Sequence, residues 1–507
     1  MDSFDVAQKR VVIVGGGPAG LTAAYDLCKA GVPSVVLEQD AVVGGLSRTV
    51  QYKGYHFDIG GHRFFTKVKA VEDMWREVLP EAQFLRRPRL SRIYYNKKFF
   101  HYPLRATNAL LGLGLWNSLL ILLSYAAARV SPEKSETTFE QWVTNRFGRR
   151  LYLTFFKTYT EKVWGIPCSE IMAEWAAQRI KGLSLLSAVK NALIKQSPTS
   201  KQDVIKTLID EFDYPERGPG MMWERVAEMI QLKGARLELT SPVQVIHWTA
   251  GRVTSVDVDM QGRRESIEGT DFISSMPIQE LIQKLDPPPP AEVCAAARDL
   301  HYRDFLTVAL MVNQADMFPD NWIYIHDPEV KVGRIQNFKR WSPRMVPDPT
   351  KTCLGLEYFC FEGDGLWTMR DEELITQGTR ELELLGLARP GDVEDGAVVR
   401  MPKAYPVYDG GYARAVATIR SFLDPIENLQ LVGRNGMHKY NNQDHSMLTA
   451  MLAVKNILGG QYDLWRVNVE QEYHEEDASD RPKGSDDEFA ELAATQPRVP
   501  RRIGGGR

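Results

Sequence analysis

Residues 9–40, KRVVIVGGGPAGLTAAYDLCKAGVPSVVLEQD, restrict the fold more than any other part of the chain. A β-branched run (Val11, Val12, Ile13, Val14) breaks into Gly-Gly-Gly-Pro-Ala-Gly, a helical pattern follows, and SVVL forms a second apolar run. Gly15, Gly17 and Gly20 fit G-x-G-x-x-G, and Glu38 closes the second run 18 positions after Gly20. In such a unit Gly15 makes the tight turn, Gly17 lets a pyrophosphate approach the backbone, and Gly20 lets the helix pack closely on the strand. The helix N-terminus faces the phosphates, and the Glu38 carboxylate accepts from a ribose hydroxyl. The unit is expected to bind a dinucleotide.

A chain of 507 residues, 44% hydrophobic and 25% charged, has globular composition and room for two or three lobes. Its net charge of −3 gives no electrostatic case for nucleic acid as a partner. Cys28, Cys168, Cys294, Cys353 and Cys360 lack CxxC spacing, which argues against a disulfide framework and a zinc site, so no metal is expected. The start, MDSFDVAQKR, has no apolar signal region, and a cytoplasmic location is expected. Residues 109–123, ALLGLGLWNSLLILL, test that expectation. They fall short of the ~20 apolar residues a bilayer needs, and Asn117 and Ser118 interrupt them. A buried or half-exposed helix is the expectation, with a peripheral membrane contact as the alternative.

Further small-residue turns follow the first motif. VVGGLSRTV (42–50) brings Gly45, Leu46 and Ser47, and YHFDIGGHRFF brings Gly60 and Gly61 ahead of His62. Together, along one N-terminal lobe, they resemble the extended flavin fingerprint of the glutathione-reductase-like class and select FAD over NAD. Residues 67–214 read as mainly helical. Tyr159 and Trp164 lie close to a helix end, where aromatics can stack on a flat ligand. The polar loop 194–203 is a candidate mobile segment over a site. From residue 234 the hydrophobic period changes to two, as in β-hairpins returning to the nucleotide lobe, with Val243 as a further cofactor contact. FLTVALMVN, VGRIQNFKRWSP and TCLGLEYFCF read as strands of a second sheet. After the strand LQLV comes GRNGMHKYNNQDHS, whose many polar groups need hydrogen-bond partners, and then the helix SMLTAMLAVKNILGG.

The expected fold class is α/β. A Rossmann-like FAD-binding domain (1–66, 215–285 and 426–465) carries an inserted, mostly helical substrate or cap domain (67–214). A second, antiparallel β-sheet substrate domain (286–425) and a flexible C-terminal tail (466–507) complete it.

The order of these motifs resembles the UDP-galactopyranose mutases, within the larger amine-oxidase/protoporphyrinogen-oxidase-like FAD class. GGHRFF is similar to the segment that sets a histidine beside the flavin, which implies that role for His62. FFKTYTEKVWG is similar to the helix whose tyrosine stacks on uracil, which implies Tyr159 with Trp164 nearby. GRIQNFKRW resembles the strand carrying the arginine over flavin and sugar phosphate, implying Arg334, and AYPVYD implies a diphosphate contact from Tyr405. In GRNGMHKYNNQD, Gly433, Arg434, Gly436 and Tyr440 match the family pattern. His438 replaces a diphosphate-binding tyrosine and Asn442 an aspartate, and residues 176–196 replace a shorter arginine-bearing loop. Gly433 and Arg434 are then expected to close on the flavin, with Asn442, Asp444 and Ser446 opening a helix toward its polar edge.

The resemblance implies a sugar mutase that interconverts pyranose and furanose forms of a nucleotide sugar without net redox, through an adduct on reduced flavin. NAD(P)H is then the candidate reductant. Arg334, Tyr405 and Tyr440, with Lys439 or His438, would hold the diphosphate, while His62 would tune the flavin. The alternative is a true FAD-dependent oxidoreductase acting on an amine, porphyrin or isoprenoid, for which the same fingerprint serves. A third reading is a flavin-binding protein without catalysis.

Overall fold

The computed structural model describes residues 8–102, 106–173 and 211–468. The segments 176–196 and 194–203, and the chain from 469, lie outside them.

The first motif builds the centre of the molecule. Val11–Val14 sits third in a five-stranded sheet, in the order Leu429–Leu431, Asp271–Ser274, Val11–Val14, Ser34–Leu37, Arg236–Glu238. All four pairings are parallel. Every residue of the three inner strands, 11–14, 34–37 and 271–274, is buried, as expected of a sheet covered on both faces, so the first two read as nearly unbroken apolar runs without alternation. The helix Pro18–Lys29 packs between Gly220–Leu232 and Gln443–Ile457, closing the core around this sheet. A smaller sheet, Val243–Thr249 with Arg252–Met260, Arg263–Glu268 and Leu285–Asp286, stands beside it.

The second large sheet has seven strands. Their order is Val393–Pro406, Tyr302–Val312, Thr352–Cys360, Arg334–Asn337, Trp322–Ile325, Ser91–Tyr95 and Lys98–His101. Here alternation does the sorting. Leu306, Val308, Leu310, Ile335, Leu354, Leu356 and Tyr358 enter one apolar cluster with Leu374 and Leu382 of the helix Asp371–Leu384. The pairs Tyr324–Arg334 and Arg334–Glu357 lie directly opposite one another, so they occupy the other face. One face of this sheet packs on that cluster; the other builds the site, setting Arg334, Gln336 and Glu357 among the buried apolar residues Phe305, Ala309, Met311, Trp322 and Phe359.

Among the described residues, four strands fall in the stretch expected to be mainly helical, the last running one residue past its end. Phe84–Pro88 pairs with Glu211–Pro215, and the hairpin of Ser91–Tyr95 and Lys98–His101 forms the edge of the seven-stranded sheet. The hairpin turns at Asn96 and Lys97, both with positive φ (49° and 57°), the conformation a two-residue turn matched to strand twist requires. Downstream, Phe139–Phe147 is followed at Gly148 by a short turn Arg149–Leu151, a π-turn Tyr152–Phe156, and the helix Lys157–Trp164. Phe147 and Phe155 are buried, and Phe156 stacks on Phe147 at 5.4 Å, so these aromatics are core.

Residues 109–123 are not one buried helix. Gly114 separates Ala106–Leu113 from Leu115–Val130, and the second helix exposes Trp116, Leu119 and Leu123. Among the described residues, no helix is long and apolar enough to cross a membrane.

Candidate active site

The nucleotide end is built from backbone. Gly15 has φ +105°, and a Cβ there would stand 2.1 Å from the Ser275 Oγ. A Cβ on Gly20 would stand 1.8 Å from the Gly15 carbonyl, so helix and turn are in direct contact. Gly17 caps the helix without a side-chain bond, and a Cβ there would meet only the Gly45 Cα at 3.8 Å. First-turn N–H groups are thus left for an anion. Gly44 donates to the Gly16 carbonyl at 2.9 Å, which lays the Gly45–Ser47 turn, with Leu46, against the glycine loop. Glu38 is buried and accepts from the N–H groups of Gly16 (2.5 Å) and Asp40 (2.8 Å). Burial raises its pKa against the pull of those two donors. Val243 is buried, and its carbonyl accepts from Lys284 at 2.6 Å.

Strand Leu429–Leu431 delivers GRNG to the carboxyl end of this sheet, where open α/β sheets bind their ligands. Gly433 approaches Ala19 of the first helix closely: a Cβ there would lie 3.2 Å from the Ala19 Cβ. Asn442 caps Gln443–Ile457, and its N–H donates to His445 Nδ1 at 3.1 Å. Asp444 is buried and accepts from Thr66 at 3.1 Å, while Ser446 donates to the Asn442 carbonyl. Gln443 opens the helix with both side-chain amide atoms buried and unpartnered among the described residues. A glycine cradle, a buried ribose-type carboxylate and an unspent amide at a helix start together fit FAD.

The substrate end is built on the face of the large sheet that carries Arg334 and Glu357. Arg334 Nε donates to Glu357, which is fully buried. Gln336 Nε2 donates to the same carboxylate at 2.8 Å, and Trp341 Nε1 donates to Gln336 Oε1 at 2.9 Å. Burial opposes the charge on Arg334, but Glu357 and the surrounding phenols hold its pKa well above the usual value. Gly60 lies where a Cβ would be 3.9 Å from both Arg334 and His62, so GGH faces this arginine, and Gly61 abuts Trp341. Burial, with Arg434 and Arg334 beside it, lowers His62 to about 3. Its imidazole is neutral, and its Nδ1 has no partner among the described residues.

Arg434 donates to the carbonyls of Asn441 (2.9 Å) and Ala404 (3.0 Å). Its guanidinium lies over Tyr405 and Tyr440, 5.3 and 4.9 Å from their ring centres. Those two rings stack on each other at 5.5 Å, and Trp164 lies 6.4 Å from Tyr440. Burial raises Tyr405 to about 12, so it is a phenol that can donate. Tyr159 stacks on His326 at 4.6 Å with the rings 7° apart, and its edge meets Tyr324 at 5.5 Å. Its helix is clamped to the sheet. Lys162 Nζ donates to the Asp327 carbonyl at 2.5 Å, and Arg303 donates to the carbonyls of Val163 and Lys162 at the helix C-terminus.

Not every expected residue joins this group. His438 turns inward with φ +44°, sits edge-on to Tyr302 at 4.8 Å, and has its Nε2 3.5 Å from the Val407 carbonyl. Burial lowers it to about 4, so a neutral ring fits the interior, where a phosphate ligand was expected. Lys439 is also diverted: its ammonium donates to the carbonyls of Trp465 and Val467. Glu357, Gln336, Trp341, His326 and Gln443 were not found from sequence. Glu357 had a faint signal, a carboxylate in the otherwise apolar TCLGLEYFCF. Among the described residues, no cluster of His, Cys, Asp or Glu could hold a metal.

A model of the flavin-containing amine oxidoreductases matches residues 18–438. An L-amino-acid oxidase of Pseudechis australis is 22% identical over 330 residues, covering 60% of this chain and 58% of that protein. One from Crotalus adamanteus is 48% identical, but over only 65 residues, 13% of each protein. The chain therefore matches well under two thirds of these relatives' length. Among solved structures, a reduced UDP-galactopyranose mutase superposes with a TM-score of 0.79 at 20% identity, over 91% of this chain and 98% of that one. A redesigned putrescine oxidase superposes with a TM-score of 0.59 at 18% identity, over 89% and 99%. These structural likenesses establish the fold: a parallel FAD-binding sheet with a separate antiparallel substrate sheet.

Proposed function

The chain belongs to the flavin-containing amine oxidoreductases, and from that premise we propose that it is an FAD-dependent oxidoreductase whose small-molecule substrate carries a carboxylate or phosphate. The observation that carries this reading is Arg334, a permanent cation fixed by Glu357 beside His62. Arg434 adds a second cation, and among the described residues no carboxylate pairs with it. A site with this field attracts anions and repels protonated amines.

FAD, when bound, supplies two-electron redox chemistry. The protein's part is binding and positioning. Arg334 takes the anionic group by charge-assisted hydrogen bonds, and Tyr405 and Tyr440 offer phenolic donors. His62 stays neutral at physiological pH, so its unpartnered Nδ1 could hydrogen-bond to a bound flavin or substrate without adding charge. The family match and the oxidase relatives favour redox chemistry over sugar-ring exchange, and L-amino acids are the first substrates to test.

One arrangement supports a second reading, a mutase acting on a nucleotide sugar with reduced FAD. The Tyr159–His326 stack offers a face for a base, while Arg334, Tyr405 and Tyr440 offer a diphosphate its partners. Anaerobic mixing of oxidised holoenzyme with L-amino acids and other anionic reductants separates the two. Bleaching of the flavin supports the oxidoreductase. No bleaching by any reductant, with ring exchange of UDP-galactopyranose by the prereduced enzyme, overturns it in favour of the mutase.

A further inference from the structure

Helix Leu115–Val130 inverts the usual amphipathic pattern. Its exposed apolar positions are 116, 119, 123, 126, 127 and 130, spaced by three or four and therefore one continuous stripe. They are Trp116, Leu119, Leu123, Ala126, Ala127 and Val130. Trp116 is 71% exposed, Leu123 58% and Val130 87%. The buried side carries Ser118 and Ile121. A helix solvated by water alone carries charge on its outer face; a contiguous apolar one is a docking surface.

The surroundings say what docks. Between residues 97 and 157 the chain has nine Lys and Arg against three Glu, a local charge of +6 in a protein of net −3. Two of the three acids, Glu136 and Glu140, are already paired with Arg146 and Arg149. Arg150 flanks the stripe directly, with its N–H on Ser124 and its guanidinium on Asn117. Arg129 is exposed in the last helical turn, and Leu153, 42% exposed, adds apolar surface on the adjoining π-turn. An apolar stripe with a tryptophan at one end and Arg129 and Arg150 beside it, in a stretch of chain with a net positive charge, complements an anionic lipid surface. The rest of the molecule carries the opposite charge, which orients it away from such a surface.

We propose that this stripe seats the protein peripherally on anionic bilayers, with the helix axis in the membrane plane. The docked elements continue through Arg149–Leu151 and the π-turn into the Tyr159 helix, so the substrate end of the site lies beside the lipid surface. The inference does not depend on the choice between redox and ring-exchange chemistry.

The test is flotation of the FAD-loaded full chain with phosphatidylcholine vesicles, with and without phosphatidylglycerol. The expected result is at least about tenfold preference for the anionic vesicles, weakened by salt. The triple variant Trp116→Ser, Leu119→Ser, Leu123→Ser should bind about tenfold less or weaker still, with its flavin spectrum and melting temperature retained because these side chains face solvent. Wild-type protein left in solution by both vesicle types overturns the proposal, as does a triple variant that floats like wild type. A wild-type dimer that the triple variant converts to monomer assigns the stripe to a second copy and equally overturns it.

Discussion

Replacing Glu357 by Gln tests the network that fixes Arg334. The substitution keeps volume and shape but removes the negative charge opposite a guanidinium whose side chain is only 19% exposed. Breaking a fully buried pair costs about 3–5 kcal/mol, and a hydrogen bond to a charged group is worth about 1.5–3 kcal/mol. The amide oxygen still accepts one bond, and Arg334 reaches some solvent, so about 2–3 kcal/mol is the expected loss. An unfolding entropy of about 2.1 cal/mol/K per residue gives about 1 kcal/mol/K for a chain of this size, so the melting temperature should fall by about 2–3 °C. Flavin fluorescence on heating reads this directly. The same variant should bind anionic ligands about tenfold or more weakly, because Arg334 loses its fixed direction. Adding Arg334→Met should restore most of the stability and none of the binding, since the unpaired charge goes with it. If Glu357→Gln melts and binds like wild type, the network does not position Arg334 and the argument fails.

Other outcomes follow from single contacts. Gly20→Ala forces a methyl to 1.8 Å from the Gly15 carbonyl and should yield protein with little or no bound FAD, read as the flavin-to-protein absorbance ratio. Buried His326 and His438 are lowered to about 3 and about 4, so below the unfolded value of about 6.5 only the unfolded chain takes up their protons. Stability is complete above that pH and should fall as pH drops toward 4, by about 1.4 kcal/mol per unit for each ring. A His326→Phe, His438→Phe pair should reduce that slope in denaturant titrations, leaving the share of His62, which is lowered to about 3 as well. Tyr159→Ala removes the ring that His326 backs on one face, and with it the other face offered to a base, and should weaken nucleotide ligands about 10- to 100-fold while leaving simple carboxylates nearly unaffected, as measured by calorimetric titration.

The parts of this molecule that sequence revealed are those set by local geometry. In residues 9–40, turn, helix start and acid are all specified within one short run, so the cofactor end and its strand–turn–helix–strand unit could be anticipated together. Arg334 was legible through its resemblance to a known strand, but its partner was not. Glu357 lies 23 positions away and meets it only through strand register, which no local pattern fixes. His438 shows a related limit: its polarity suggests a ligand, while the fold sets its ring edge-on to Tyr302 with Nε2 3.5 Å from the Val407 carbonyl, a placement no local pattern fixes. The apolar run 109–123 was visible, but which of its faces remains open depends on how Leu115–Val130 packs on the helices that follow it.

The central claim is that Arg334 reads an anion beside the flavin. Its most direct test is a titration of oxidised holoenzyme followed by the flavin difference spectrum, using an L-amino acid, its carboxylate analogue without the amine, and the matching amine without the carboxylate. The account predicts saturable spectral shifts with the first two and none with the amine, and a loss of about tenfold or more in affinity for both in Arg334→Met. Tight binding of the amine alone, unchanged in Arg334→Met, would contradict it.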